Sequence, residues 1–271
     1  MDLQPSSSFQ RSPTTENADR PIGQRASGAS ALDRVQILET WTNADLPAGK
    51  LVVSRTRSET LSRGVNIVLA SIGMVLAAPL FLIVAIAVKL SSSGPIFYRQ
   101  TRVGIDRRRR GYGGDMLYDR RAKDLGGSVF TIYKFRSMRA DAEKRSGAVW
   151  ATKGDPRVTT VGRVIRKTRL DELPQLINVI KGDMNIVGPR PERPSIFLRL
   201  SESIEEYPQR QLAKPGITGW AQVNRAYDAC LDDVRQKVRY DLEYIQRQSI
   251  LEDLKIMLKT VPVILLGEKG W

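Results

Sequence analysis

The sequence predicts a mainly α-helical protein with a small β element, laid out as a membrane-embedded re-entrant helix followed by a helical domain on the cytosolic side. Three observations carry this. Val65 to Val88 is a run of 24 residues without a charge. Apolar residues recur at three- and four-residue steps at Leu173, Leu176, Ile177 and Ile180, and again from Val238 through Leu258 to Val261, which is helical spacing. Only two short runs are β-prone, one after Gly94-Pro95 and one at Val129 to Tyr133.

Taken in order, residues 1–50 are rich in Ser, Thr, Pro, Gln and Asn. They cannot bury enough apolar surface to offset ordering entropy, so a disordered cytosolic tail is expected. The start lacks the basic and apolar halves of a secretory signal. Residues 51–93 form the membrane-association region. The uncharged run exceeds the roughly 20 residues that cross hydrocarbon as a helix, and both of its flanks are basic: Arg55, Arg57 and Arg63 before, Lys89, Arg99, Arg102 and Arg107 to Arg110 after. Positive charge favours the cytoplasmic side, so both ends are drawn to one face. Ala78-Pro79 lies near the middle, where proline removes a backbone donor, and a hinge there lets a helix over 65–90 enter and leave by the same face. A kinked span is the alternative, because membrane helices tolerate proline.

Residues 94–271 form the cytosolic domain. Gly104 to Gly127 reads as a loop. The β-prone run at Val129 delivers Lys134 and Arg136 at its end. A short amphipathic helix is expected over 172–180, ended by Gly182, and one or two more follow near the C-terminus. Val261 to Leu266 is too short to span; it either dips into the interface or packs on the membrane helix.

Composition narrows the chemistry. The chain has 271 residues, no His and one Cys, which excludes a His-based triad, a His-ligated metal and an intrachain disulfide. Cys230 reads as a small buried hydrophobe. The net charge is +14, and residues 89–169 hold 21 Lys and Arg against 7 Asp and Glu. The remainder is balanced, so one segment is built to meet polyanions: nucleic acid, anionic lipid or a phosphate-rich substrate.

Asp171 and Glu172 are adjacent carboxylates at the expected helix start, preceded by Arg163, Arg166, Lys167 and Arg169. A capping role for Asp171, its ionised form favoured by the helix dipole and neighbouring cations, is one reading. The density of phosphate-compatible groups supports another. Lys134 and Arg136 precede the pair; Gly188-Pro189-Arg190-Pro191-Glu192-Arg193-Pro194 follows, a stiff extended stretch that presents Arg190 and Arg193 with little entropy left to lose. Two carboxylates among fixed cations suit phosphoryl chemistry, with a carboxylate as nucleophile or metal ligand and arginines on phosphate oxygens. Magnesium is the divalent ion such oxygen ligands favour.

These residues fall in motifs that resemble the bacterial sugar transferases, the monotopic polyprenyl-phosphate phosphoglycosyl transferases of envelope glycan synthesis, in their short form. The resemblance runs from about Leu61 to Gly267. It rests on the Pro-interrupted helix, Gly94-Pro95-Ile96-Phe97, Arg102-Val103-Gly104, Lys134-Phe135-Arg136-Ser137-Met138, Asp155-Pro156-Arg157, Leu170-Asp171-Glu172-Leu173-Pro174-Gln175-Leu176, Val187-Gly188-Pro189-Arg190-Pro191-Glu192 and Lys214-Pro215-Gly216-Ile217-Thr218-Gly219-Trp220. It implies transfer of a sugar phosphate from a UDP-sugar to undecaprenyl phosphate with release of UMP, as the first membrane step of exopolysaccharide or related glycan assembly at the bacterial inner membrane, the catalytic domain on the cytoplasmic face. Asp171 would be the nucleophile that carries the phosphosugar. Glu172, with Asp171, would hold Mg2+. Lys134, Arg136, Arg166, Arg190 and Arg193 would bind substrate phosphates. Residues 107–127 stand as an insertion relative to the family pattern, and the tail lies outside it.

The rival is a non-catalytic, membrane-anchored basic module for anionic lipid or nucleic acid. It explains the charge but gives the dyad no role, and the basic segment lacks the interleaved aromatics that single-strand binding favours; no nucleic-acid partner is expected.

Overall fold

The computed structural model describes residues 58–106, 127–142, 154–225 and 230–266, all within one compact unit, 51–271. The expected tail, most of the expected insertion and Arg107 to Arg110 lie outside the described residues.

The uncharged run becomes α1, Glu59–Ser91, of 33 residues. Ser58 caps it, its Oγ accepting from the Leu61 N–H, with Glu59 in the first turn and Lys89 in the last, each at the end its charge favours. The helix continues through Ala78 and Pro79, both exposed, although proline leaves the Val75 carbonyl without its helical donor. At 1.5 Å per residue the helix is about 50 Å long. Its two ends nonetheless dock on the same unit. Near the start, Arg63 donates to the carbonyls of Val179 and Ile180, and Asn66 Oδ1 accepts from the Ile186 N–H at 2.7 Å. Near the end, Val84 and Val88 are buried with Phe135 and Ile165. The middle is given to the outside: Val75 and Leu76 are 73% and 75% exposed.

After α1 comes an antiparallel hairpin of β1, Phe97–Val103, and β2, Val129–Phe135, in register from Phe97 opposite Phe135 to Val103 opposite Val129. β1 extends well past the predicted Ile96–Tyr98 run because its whole length finds partners in β2. α2, Thr160–Lys167, leads to a 3-10 turn, Leu170–Glu172, and then to α3, Gln175–Lys181. α3 ends at Gly182, φ +94, a left-handed cap that glycine adopts without strain. β3, Asn185–Val187, pairs in parallel with β4, Gly216–Thr218. Between them lie α4, Pro194–Ser203, and the 3-10 segment Tyr207–Leu212. α5, Trp220–Asn224, α6, Leu231–Arg247, and α7, Ile250–Leu266, complete the chain.

The main core gathers Phe197, Leu200, Tyr207, Val234, Ile245 and Ile256 from α4, the 3-10 segment, α6 and α7. Fully burying such side chains contributes about 1.5–3 kcal/mol each. A smaller cluster of Ala70, Ile132, Val179 and Met184 joins α1, β2 and α3.

Four expectations change. The dyad does not open a helix over 172–180: it sits in the 3-10 turn, and the cap of α3 is Pro174, so Asp171 makes no capping bond. The core side of α3 is Gln175, Asn178 and Val179, with Ile177 and Ile180 exposed. Asn178 outcompetes the apolar stripe because its amide joins α3 to β2, accepting from Tyr133 N at 3.1 Å and donating to Thr131 O at 2.7 Å. Likewise α7 turns Leu251, Leu254, Leu258 and Val261 outward and buries Asp253 and Ile256. Cys230, expected inside, is exposed as the N-cap of α6.

Candidate active site

The chain brings the dyad in on a strained approach. Arg169, just before the 3-10 turn, adopts φ +59, a left-handed conformation that is costly for a residue with a side chain. The turn tucks both carboxylates into the protein, Asp171 at 8% exposure and Glu172 at 6%.

Their environments differ sharply. Glu172 Oε1 accepts from Lys134 Nζ at 2.7 Å and from Arg190 Nη2 at 2.6 Å, and its Oε2 faces Arg190 Nη1 at 3.4 Å and Arg169 Nη1 at 3.9 Å. Burial by itself raises a carboxyl; here the Arg190 and Lys134 charges and the Arg190 hydrogen bond overcome it and hold Glu172 well below the usual carboxylate range. Among the described residues, no side chain hydrogen-bonds the Asp171 carboxylate. Burial and the neighbouring Glu172 charge push it up to about 6, against the pull of Lys134, Arg166 and Arg190. Lys134 in turn is lowered by burial, with Glu172 opposing. The result is a charged anchor beside an open carboxylate.

Arg190 is held as firmly as it holds. Its Nη1 donates to Gln222 Oε1 at 3.0 Å, and its carbonyl accepts from Arg210 Nη2 at 3.0 Å. Arg210 is fully buried and paired with Asp241 at 2.7 Å. Arg102 donates to the Pro191 carbonyl at 3.0 Å and reaches Glu192 at 3.4 Å. The prolines of this loop cannot donate N–H groups to brace it, so two arginines fix it by its carbonyls. Close approach of β3 and β4 also helps: a Cβ on Gly188 would lie 2.2 Å from the Lys214 carbonyl oxygen.

Of the residues predicted from sequence, Asp171, Glu172, Lys134 and Arg190 come together, and Arg166 lies near enough for its charge to act on Asp171. Arg193 lies to one side, its Nη2 3.4 Å from the Tyr98 hydroxyl. Arg136 is turned away. The residue is 5% exposed, and its guanidinium donates to the carbonyls of Val88, Ser92 and Ser93 at the end of α1, because those carbonyls lack helical partners. Sequence reasoning missed Gln222, Arg102 and Arg210, and the contact of Arg169 with Glu172. The first three are far from the dyad in sequence, and Arg169 reaches it only through its left-handed backbone.

Four cations, Lys134, Arg166, Arg169 and Arg190, thus face two carboxylates, a surplus of positive charge that suits a multiply charged phosphate. For a divalent ion, the open Asp171 carboxylate and Glu172 Oε2, whose cation contacts are 3.4 and 3.9 Å away, offer oxygens. No cluster of three or more acidic, Cys or His ligands exists among the described residues. That donor set fits magnesium, which typically uses one or two carboxylates and completes its shell with phosphate and water.

Comparison with known proteins agrees with this geometry. Residues 57–267 match the model of the family described as bacterial sugar transferase. The chain is 42% identical over 207 residues to the UDP-N-acetylgalactosamine-undecaprenyl-phosphate N-acetylgalactosaminephosphotransferase of Aeromonas hydrophila, covering 76% of this chain and 44% of that protein. It is 39% identical over 227 residues to the UDP-glucose:undecaprenyl-phosphate glucose-1-phosphate transferase of Caulobacter vibrioides, covering 83% and 76%. It is 35% identical over 219 residues to the exopolysaccharide production protein PSS of Rhizobium leguminosarum, covering 78% and 98%. The chain therefore spans less than half of the first of these relatives and most of the other two. With the match running from the start of α1 to the end of α7 and through every residue of the dyad's surround, the chain belongs to the bacterial sugar transferase family.

Proposed function

We propose that this protein transfers a sugar phosphate from a UDP-sugar to undecaprenyl phosphate, releasing UMP, in two steps through a phosphosugar carried on Asp171, as the first membrane step of exopolysaccharide or related glycan assembly. The observation that carries the reading is the asymmetry of the dyad. Glu172 has its Oε1 engaged by both Lys134 and Arg190, whereas the Asp171 carboxylate has no hydrogen-bonding side chain among the described residues. A nucleophile needs a free lone pair, and Asp171 has it.

In the first step an Asp171 Oδ forms a bond to the sugar-proximal phosphorus, and the bridging P–O bond to UMP breaks, its electron pair leaving with UMP. In the second, an undecaprenyl phosphate oxygen bonds to the same phosphorus and the Asp171 oxygen leaves with its pair. Each attack uses a weak oxygen nucleophile on an anionic centre, so positioning and charge stabilisation do most of the catalytic work. Arg190 and Lys134, pre-set by Glu172, and Arg166 supply that charge. Magnesium, held by Asp171 and Glu172 with phosphate oxygens, would neutralise further negative charge on the diphosphate. With a carboxyl raised to about 6, Asp171 is ionised at neutral pH yet more basic than an ordinary aspartate.

The same reading places α1 in the bilayer as a re-entrant helix. Here both ends of α1 bond to one domain while the middle is bare, which favours entry and exit by the cytoplasmic face of the bacterial inner membrane. The outward leucines of α7 extend this apolar surface and suit the interface. UMP release from a panel of UDP-sugars, with magnesium and undecaprenyl phosphate, tests the activity: the wild type releases UMP with a preferred donor, and Asp171→Asn does not.

A further inference from the structure

We propose that three consecutive residues of β2 and its exit, Lys134-Phe135-Arg136, couple the membrane helix to the dyad, and that Arg136 acts as a positioning residue that locks the exit of α1. This rests on the functional reading above.

The three side chains reach three parts of one assembly. Lys134 Nζ lies 2.7 Å from Glu172 Oε1. Phe135, 1% exposed, stands edge-on to Phe81 of α1 and stacks on Phe97 of β1, each at 5.3 Å between ring centres. It belongs to the cluster of Val84, Val88 and Ile165, against which Leu170 and Leu173 pack. Those two leucines flank the dyad, so the apolar floor of the catalytic turn includes the second half of the membrane helix. Arg136 then donates to Ser93 O at 2.5 Å, Ser92 O at 2.6 Å and Val88 O at 3.3 Å.

The Arg136 site is built for a clamp. Among the described residues no carboxylate pairs with this buried cation; its compensation is backbone carbonyls and the negative end of the α1 dipole. A buried charge without a counter-charge is expensive; both Nη atoms are engaged by carbonyls and Nε is buried without a hydrogen-bond partner, so no solvent-facing edge is offered to a phosphate. Gly94 makes room for it. Its φ is +120, and a Cβ there would lie 2.2 Å from Arg136 Nη1, so a side chain at this turn would both strain the backbone and push the guanidinium out. Asn178 fastens the same strand to α3. A shift of the helix exit is thereby passed to the strand that carries Lys134 and on to Glu172.

The test uses the full chain in lipid vesicles, with Cys230→Ser and Ser92→Cys introduced so that one thiol reports on the exit turn, where the Ser92 hydroxyl is buried. Arg136→Gln and, independently, Gly94→Ala should lower kcat for UMP release about tenfold or more while KM for both substrates stays within about twofold, since geometry rather than binding is lost. In both, maleimide labelling at position 92 should be faster, and Arg136→Lys should fall between. A rise in KM for either substrate with kcat and labelling unchanged would make Arg136 a phosphate ligand and overturn the proposal. Faster labelling with unchanged kcat would leave a clamp without coupling and overturn it as well. Should the wild type itself release no UMP, or Asp171→Asn retain release, the functional reading fails and the coupling with it, while labelling still decides whether Arg136 holds the exit.

Discussion

Arg190 places Nη2 2.6 Å from Glu172 Oε1, and with Lys134 on the same oxygen it makes Glu172 the charged anchor of the site while Asp171 beside it carries no such bond. Two adjacent carboxylates on one short turn are thereby given different work by their surroundings alone.

Glu172→Gln should therefore damage more than a binding contact. It removes the counter-charge of two partly buried cations, Lys134 and Arg190 at 17% and 31% side-chain exposure, so the cost should stay below the roughly 3–5 kcal/mol of breaking a fully buried pair. The expected outcome is a lower unfolding midpoint together with loss of UMP release of about a hundredfold or more; thermal unfolding and single-turnover kinetics on the same preparation check both.

Asp171→Asn should do the reverse to stability. The Asp171 carboxyl titrates near 6 in the folded protein and near 4 unfolded, so the native state binds the proton more tightly. The contribution of this one carboxyl to stability is accordingly full below about pH 4 and is lost as pH rises through about 6. In metal-free buffer the Asn variant should be more stable than wild type by about 2–3 kcal/mol at pH 8, and the difference should vanish below pH 4. Chemical denaturation across that range measures it.

The acid limb of activity follows from the same group. If Asp171 must be ionised to attack, kcat/KM of the wild type should fall as pH drops through about 6. A pH–rate profile for UMP release with a preferred donor reads this directly.

Gln222→Ala removes the amide that accepts from Arg190 Nη1 at 3.0 Å. The guanidinium keeps its Glu172 contacts but gains freedom, so a loss of about tenfold in kcat/KM is expected, with membrane association unchanged. Flotation with vesicles and steady-state kinetics separate the two.

Topology is tested at the ends of α1. In a Cys230→Ser background, Ser58→Cys and Ser93→Cys should both be labelled from the cytoplasmic side by a membrane-impermeant maleimide. Labelling from opposite sides means a span, and removes the re-entrant reading.

Much of this was legible in the chain. The length and neutrality of Val65–Val88 gave α1, and the dyad with Lys134 and Arg190 pointed to phosphoryl chemistry. What stayed hidden depends on contacts far apart in sequence. Arg136 resembles a second phosphate ligand two residues from Lys134, but only the folded exit of α1 supplies the carbonyls that claim it. Asn178 looks like an interruption of an apolar stripe until β2 lies alongside. The outward face of α7 has helical spacing with no mark of which side is covered, since periodicity reports a face and not its neighbour. Arg169 reaches Glu172 through a left-handed backbone that no local preference predicts.

The most direct test of the central claim is a single-turnover reaction with a UDP-sugar labelled on the sugar-proximal phosphate, without lipid acceptor. The account predicts UMP release matched by label bound to the protein, released by hydroxylamine as expected of an acyl phosphate, transferred on addition of undecaprenyl phosphate, and absent in Asp171→Asn. UMP release that occurs only when the lipid phosphate is present, with no label on the protein, would contradict it.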